Sequence, residues 1–263
     1  MTPSTNPRIR VREATPADTE TLVDIHFDAF KDNVMDQLMY PGGVSEDCKR
    51  KFGGRLFPPM PPRENDGSAS AAQVPESLLY VAEYVSEDGA TEEPGEVVAF
   101  AKWRLNRTQQ TEAEWNHDLQ VTTETFGEGC DLSVVDAFIG EMNRKQRDHA
   151  KGEPALYLSI LACKPGRQRL GAGSALLRCG AELADELGVP CRLEASPIGY
   201  TLYKKFGYED VDVLDTKVTE TWGVANTDGS NWGANNAVAL AGPAAEGVMR
   251  TVIMRRPPKK ATV

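Results

Sequence analysis

Residues 163–177 read CKPGRQRLGAGSALL, and the fold turns on how this stretch is parsed. Upstream, ALYLSILAC (155–163) is apolar nearly throughout, the pattern of a strand covered on both faces. Downstream, Ala172, Leu176, Leu177, Gly180, Leu183, Ala184 and Leu187 share one helical stripe, which Gly188 closes. A strand, a loop and a helix opening at Gly171 together make an anion site. Free backbone N–H groups and the positive end of the helix dipole converge there. Glycines at 171 and 173 let a bulky anion approach the backbone, and Arg167 and Arg169 add charge. The ligand implied carries phosphate.

Several phosphate loops fit that outline. A Walker loop ends in Gly-Lys-Ser/Thr, which is absent here. A dinucleotide fingerprint accommodates Gly171 and Gly173, with Glu194 about twenty residues on as the ribose-binding acid. Leu176, however, occupies its third glycine position. The segment Lys164–Leu170 also separates the strand from the first glycine, whereas a dinucleotide loop turns at once. A nucleotide-dependent oxidoreductase is therefore disfavoured.

The stretch resembles the acetyl-CoA signature of the GNAT (Gcn5-related) N-acetyltransferases, Gln/Arg-x-x-Gly-x-Gly/Ala after a strand and a proline. Here it reads Gln168-Arg-Leu-Gly171-Ala-Gly173 after Cys163-Lys-Pro165. GYTLYKKFGYE (199–209) is similar to the family's closing motif, with Tyr203 in the tyrosine place and Gly207-Tyr208 at the end. The close resemblance covers about 155–214. It implies a single GNAT acyltransferase domain over 1–263, of mixed α/β class. Its central mixed sheet would be mostly antiparallel, splayed and flanked by helices, with insertions at 57–77 and 215–247.

The remaining elements fit that order. RIRVREATP reads as a strand through Ile9 and Val11, and Thr15-Pro16 as a helix start for the set Leu22, Ile25, Ala29 and Phe30. PGGV (41–44) breaks the chain before a short helix through Lys49–Phe57. The 57–77 stretch, rich in Pro, Ser and Ala, reads as a surface insertion. SLLYVAEYV and GEVVAFAKWRL read as strands joined by a hairpin containing Asp88-Gly89. Leu132, Val135, Phe138, Ile139 and Met142 share a helical face. CRLEAS (191–196) is a strand, Ser196-Pro197 a helix start, and YEDVDVL and VMRTVIMRR are the last strands, either side of a Gly/Asn/Ala-rich stretch at 223–247.

Bulk composition narrows the partners. The formal net charge is −10, which argues against non-specific nucleic-acid binding and mildly favours cationic partners. Five cysteines form no CxxC pair, so a reducing, cytoplasmic setting is expected. The N-terminus has no apolar core of a signal peptide, and no membrane span is expected. His26, His117 and His149 show no ligand spacing, and no metal site is expected.

The resemblance implies acetyl transfer from acetyl-CoA, as co-substrate, to a primary amine of a small molecule, by direct attack in a ternary complex. Amides from Gln168 through Arg169, Leu170, Gly171, Ala172 and Gly173 to Ser174 would hold the pyrophosphate. Backbone at Leu161, Ala162 and Cys163 would pair with the pantetheine arm, the Cys163 N–H serving the thioester carbonyl as oxyanion donor. Ser196 stands where the family often has a cofactor-touching asparagine, and serine also caps helices. An alkyl amine must lose a proton before it attacks. Glu194 is the first candidate for the base, with Asp131, Asp136 and Glu83 as others, and Tyr203 would stabilise the departing thiolate. Cys163 has no base beside it in sequence, which disfavours an acyl-cysteine. Residues 17–31 and 30–43 and the final hairpin would wall the acceptor side. There Met35, Met39 and Tyr40 either line an apolar pocket or pack in the core. A CoA-binding sensor without turnover and a peptide N-acetyltransferase are the alternatives.

Overall fold

The computed structural model describes residues 9–58, 76–85, 95–227 and 230–259. In β1 (Ile9–Glu13) the apolar positions alternate with Arg10 and Arg12, which both reach the Glu83 carboxylate. Pro16 opens a 3-10 turn whose Asp18 accepts the Thr15 N–H at 2.7 Å, and α1 (Thr19–Phe30) follows. The side chains of Asn33 and Ser45 cap α2 (Val34–Met39) and α3 (Glu46–Leu56). β2 (Glu76–Tyr84) and β3 (Glu96–Asn106) come next. Their expected Asp88-Gly89 hairpin, and residues 59–75 of the expected insertion, lie outside the described residues.

Short helices α4 (Glu112–Trp115), α5 (Thr123–Phe126) and α6 (Leu132–Val135) lead through a π turn, Asp136–Gly140, into α7 (Glu141–Ala150). The π turn inserts a residue into the helical repeat. Val134, Val135 and Phe138 are thereby buried, while Leu132, Ile139 and Met142 are only half-buried. β4 (Ala155–Cys163), α8 (Ala172–Leu187) and β5 (Cys191–Ala195) form a β–α–β unit. The chain finishes with α9 (Tyr200–Lys205), β6 (Glu209–Thr216), α10 (Val218–Trp222), α11 (Val238–Ala241) and β7 (Met249–Arg256).

The seven strands form one open sheet in the order β1-β2-β3-β4-β5-β7-β6. Every neighbouring pair is antiparallel except β4–β5. α8 covers one face, setting Leu176, Leu177 and Ala184 against Trp103, Leu156, Leu158 and Leu193. Full burial of each such leucine contributes about 1.5–3 kcal/mol. Gly180 is required here, because a Cβ would sit 2.2 Å from the Trp103 indole. Leu187, expected on the buried stripe, lies in the last turn of α8 and is 37% exposed. On the other face, α1 and α3 bury Leu22, Ile25, Phe52 and Leu56 against Val81, Phe100 and Ala162.

A third apolar cluster gathers Met35 and Met39 from α2 with Val135, Leu214, Trp232 and Ile253. The two methionines thus pack in the core rather than lining a pocket. Within the 215–247 stretch, Trp232, Asn236 and Ala237 are buried in the body of the protein. Among the described residues, no helix is long and apolar enough to cross a membrane.

Candidate functional site

The β4–β5 junction is open. These parallel strands pair only at Leu156 with Cys191 and Tyr157 with Arg192, and then diverge. β4 continues to Cys163 and β5 to Ala195 with no pairing between them. Ser159 gives the bend a local cause. Lys102 pairs with Ile160 but Trp103 with Leu158, so Ser159 is an extra residue with no partner across from it. Such a bulge bends and twists its strand. The β4 edge from Leu158 to Cys163, which includes Leu161 and Ala162, therefore faces the opening with unpaired backbone.

At the far end of that edge lies the loop 164–171. Gly166, Arg169 and Gly171 have φ of 76°, 63° and 91°. Residues of that kind alternating with ordinary ones turn successive N–H groups into one concavity, which suits an anion. Among the described residues, the backbone N–H groups of Gln168, Arg169, Gly171, Ala172 and Ser174 have no backbone acceptor. Gly171 is the N-cap of α8, so these amides coincide with the positive end of a sixteen-residue helix. Gly173 differs: its amide faces the Cys163 sulfur. Arg167, expected to add charge, is tied to Glu96 at 2.5 Å, alongside Lys164 at 2.8 Å. Arg169 is exposed and has no partner among the described residues.

Glu194 stands inside the opening, on the face away from α8. The Tyr157 hydroxyl donates to its Oε2, while its Oε1 is enclosed without a hydrogen-bond partner among the described residues. Burial pushes this carboxyl up to about 7, against the Tyr157 hydrogen bond and the nearby Arg104, which both pull it down. A carboxyl so placed is half-ionised near neutral pH, where a general base works best. The other carboxylates considered from sequence serve elsewhere. Glu83 holds Arg10 and Arg12, Asp131 caps α6, and Asp136 pairs with Arg144 at 3.2 Å.

Tyr203 lies on α9, packed in the α8-side cluster with its ring edge-on to Tyr208 at 5.8 Å. Burial, and then Cys163 and Glu194, raise its hydroxyl well above the usual tyrosine range, which puts those groups within electrostatic reach of it. Burial likewise pushes the Cys163 thiol up, the opposite of an activated nucleophile. Ser196 precedes α9 rather than opening it. Its Oγ accepts the Gly199 N–H at 3.3 Å, and the helix begins three residues later than Ser196-Pro197 suggested. Among the described residues no group of three His, Cys, Asp or Glu side chains is placed to hold a metal ion.

Glu194 thus stands within the opening, and the β4 edge through Leu161, Ala162 and Cys163 leads to the 168–174 amides, with Tyr203 in electrostatic reach of Cys163 and Glu194. The sequence reading missed Tyr157, although a tyrosine alternating with leucines in an otherwise apolar strand was a visible signal.

No family model matches the chain. Solved structures with similar folds include the histone acetyltransferase HPA2 and related acetyltransferase from Corynebacterium glutamicum, with a TM-score of 0.51 at 20% identity, covering 97% of this chain and 99% of that one. The mosquito arylalkylamine N-acetyltransferase like 5b matches with a TM-score of 0.51 at 15% identity, covering 95% and 99%. The C-terminal condensation domain of Ebony, solved with beta-alanyl-dopamine, reaches 0.55 at 13% identity, covering 95% and 99%. The chain therefore has the GNAT fold that its motifs pointed to: a seven-stranded, mostly antiparallel open sheet flanked by helices.

Proposed function

We propose that this chain is a single-domain acyl-CoA-dependent N-acyltransferase of the GNAT group. On this reading it moves an acetyl group from acetyl-CoA to the primary amine of a small molecule by direct attack within a ternary complex. The observation that carries the reading is the divergence of β4 from β5 after Tyr157, with unpaired helix-terminal amides at one end and Glu194 inside.

The residues present fit the co-substrate. Within the segment from Gln168 to Ser174, the amides of Gln168, Arg169, Gly171, Ala172 and Ser174 would hold a pyrophosphate, while the Gly173 amide is turned to the Cys163 sulfur. Backbone at Leu161, Ala162 and Cys163 would pair with the amide groups of a pantetheine arm, as a strand edge pairs with an added strand. Ser196 and Tyr203 would flank that arm. When bound, acetyl-CoA supplies the activated acyl group.

Glu194 takes the proton from the acceptor ammonium, directly or through a water, and Tyr157 holds its Oε2 in place. Tyr203 hydrogen-bonds to the departing sulfur. Full proton transfer from a tyrosine of ordinary pKa to a thiolate already runs uphill by about 2 kcal/mol. Burial of Tyr203 raises that cost further, so its role is stabilisation.

Thermal-shift measurements with CoA, acetyl-CoA, NAD and ATP, followed by thiol release over an amine panel, test the assignment. A ligand at a hundred times its dissociation constant adds about 2.7 kcal/mol. Stabilisation by NAD rather than CoA refutes it. Glu194→Gln and Tyr203→Phe should each lower acetyl transfer and leave CoA binding intact. CoA binding without turnover of any amine identifies a sensor instead, and turnover of peptides alone a peptide N-acetyltransferase.

A further inference from the structure

A cavity of roughly 600 Å³ lies against the sheet face opposite α8, beside the β4–β5 opening. Tyr157 and Ser159 form part of its floor, so it adjoins Glu194 through the Tyr157–Glu194 hydrogen bond. Its lining contains the cations Arg55, Lys102, Arg104 and Arg147, and the acids Glu114 and Glu153.

These charges do not cancel within the cavity. Arg147 is neutralised from outside, by Asp118 at 2.6 Å and Asp148 at 3.3 Å. Both acids are engaged elsewhere. Glu153 accepts from Arg192 and Arg255, and Glu114 from the Thr111 N–H at 2.7 Å. Arg55, Lys102 and Arg104 remain; none forms an ion pair with a carboxylate among the described residues, and Arg104 has Glu194 within electrostatic reach. Arg55 donates to the Thr125 carbonyl and Lys102 to the Arg55 carbonyl. Arg104 lies over the Tyr157 ring at 4.8 Å. Burial, and then the like charges of Arg55 and Arg104, bring the Lys102 ammonium down to about 8. Glu194 is one carboxylate against three cations, and like charges gathered with so little counter-charge are costly unless a ligand supplies more.

We infer that the acceptor amine carries a carboxylate, as an amino acid does, and that Lys102 and Arg104, supported by Arg55, bind it while Glu194 receives the amine proton. The inference rests on the acyltransferase reading and narrows its substrate class. The geometry supports it: Arg104 stacks on the tyrosine whose hydroxyl meets Glu194, so a carboxylate and an amine one or a few carbons apart reach the two groups together.

The test uses acceptors matched except for the carboxylate: phenylalanine against phenethylamine, γ-aminobutyrate against butylamine, with spermidine as a polycation. Thiol release from acetyl-CoA gives kcat/KM for each. Hydrogen bonds to charged groups predict a preference of about 10- to 100-fold for the carboxylated member of a pair. In Lys102→Met and Arg104→Gln that ratio should collapse toward one, chiefly through KM of the carboxylated acceptor. A second measurement needs no substitution: 3-phenylpropionate, which lacks the amine, should compete with phenylalanine for the CoA-loaded protein.

Equal use of both members, faster turnover of spermidine, or preference for succinyl-CoA over acetyl-CoA with neutral amines overturns the inference while leaving acyl transfer standing. Binding of 3-phenylpropionate that depends on Arg104, without turnover of any amine, upholds the anion site and removes the enzymatic reading instead.

Discussion

The placement of Glu194 leads to a pH profile that can fail in more than one way. Its carboxyl is raised from 4.5 to about 7 by burial, with Tyr157 and Arg104 opposing the rise. For an acceptor that binds as its ammonium, which ionises near 10, the reactive complex needs an ionised Glu194 ready to take that proton. Log kcat/KM should therefore rise with slope one below about 7 and bend there to a level stretch that lasts to about pH 10. Glu194→Gln should remove the bend and lower the plateau by about a hundredfold or more. Tyr157→Phe should move the bend upward, because the lost hydrogen bond favoured the ionised form. A hydrogen bond to a charged group contributes about 1.5–3 kcal/mol, and one pKa unit is about 1.4 kcal/mol, so the shift is about one to two units.

Stability should move in the opposite sense. A carboxyl whose folded pKa lies above its unfolded one binds an extra proton in the native state between those values. The stability it contributes is fully present below about pH 4.5 and is lost as pH rises through about 7, on the order of 3 kcal/mol in all. Glu194→Gln should therefore melt higher than the wild type at pH 8 and alike near pH 4.5. A wild-type profile without the bend, a bend unmoved or lowered by Tyr157→Phe, or a less stable Gln variant at pH 8 refutes the reasoning.

Gly180→Ala forces a methyl to within 2.2–2.7 Å of three Trp103 ring carbons, and such overpacking costs about 1–3 kcal/mol, a fall in Tm of several degrees by calorimetry. Gly171→Ala places a side chain at φ 91°, a strain of about 1–2 kcal/mol, and should weaken CoA binding measured by calorimetric titration about five- to thirtyfold. Arg250, 1% exposed, holds Asp215 at 2.6 Å and the carbonyls of Asn236 and Gly242. Arg250→Met leaves those carbonyls unpaired and should cost on the order of 3 kcal/mol in urea unfolding, whereas a loss below about 0.5 kcal/mol would contradict the assignment.

What could be read from the sequence was local. The bend at 163–173, the α8 stripe and the Gly188 stop each depend on residues within a turn or two of one another, and the structure reproduces them apart from the exposed Leu187. The Tyr157–Glu194 contact spans 37 positions and exists only because β4 and β5 are parallel at Tyr157 and Arg192. No periodicity encodes that register. Lys102 and Arg104 are two apart in GEVVAFAKWRL, which places them on one strand face, but which face looks into a cavity is decided by where α8 packs. The 223–247 stretch has few large apolar residues, yet it inserts Trp232 beside Leu214 and Ile253, and a single buried tryptophan outweighs a composition average.

Net charge was the least transferable clue. The total of −10 favoured cationic partners, but a sum over the chain says little about a cavity when exposed charges are screened within about 8 Å. The field in the cavity depends on which charges remain unpaired after folding. Glu83 is committed to Arg10 and Arg12, Asp185 to Arg256, Asp215 to Arg250, and Glu153 to Arg192. Those pairings commit acids to arginines across the fold, and in the cavity Arg55, Lys102 and Arg104 are left to set the sign. An acidic protein can hold a cationic pocket in this way, and reversing surface acids far from β3 should leave acceptor preference unaltered.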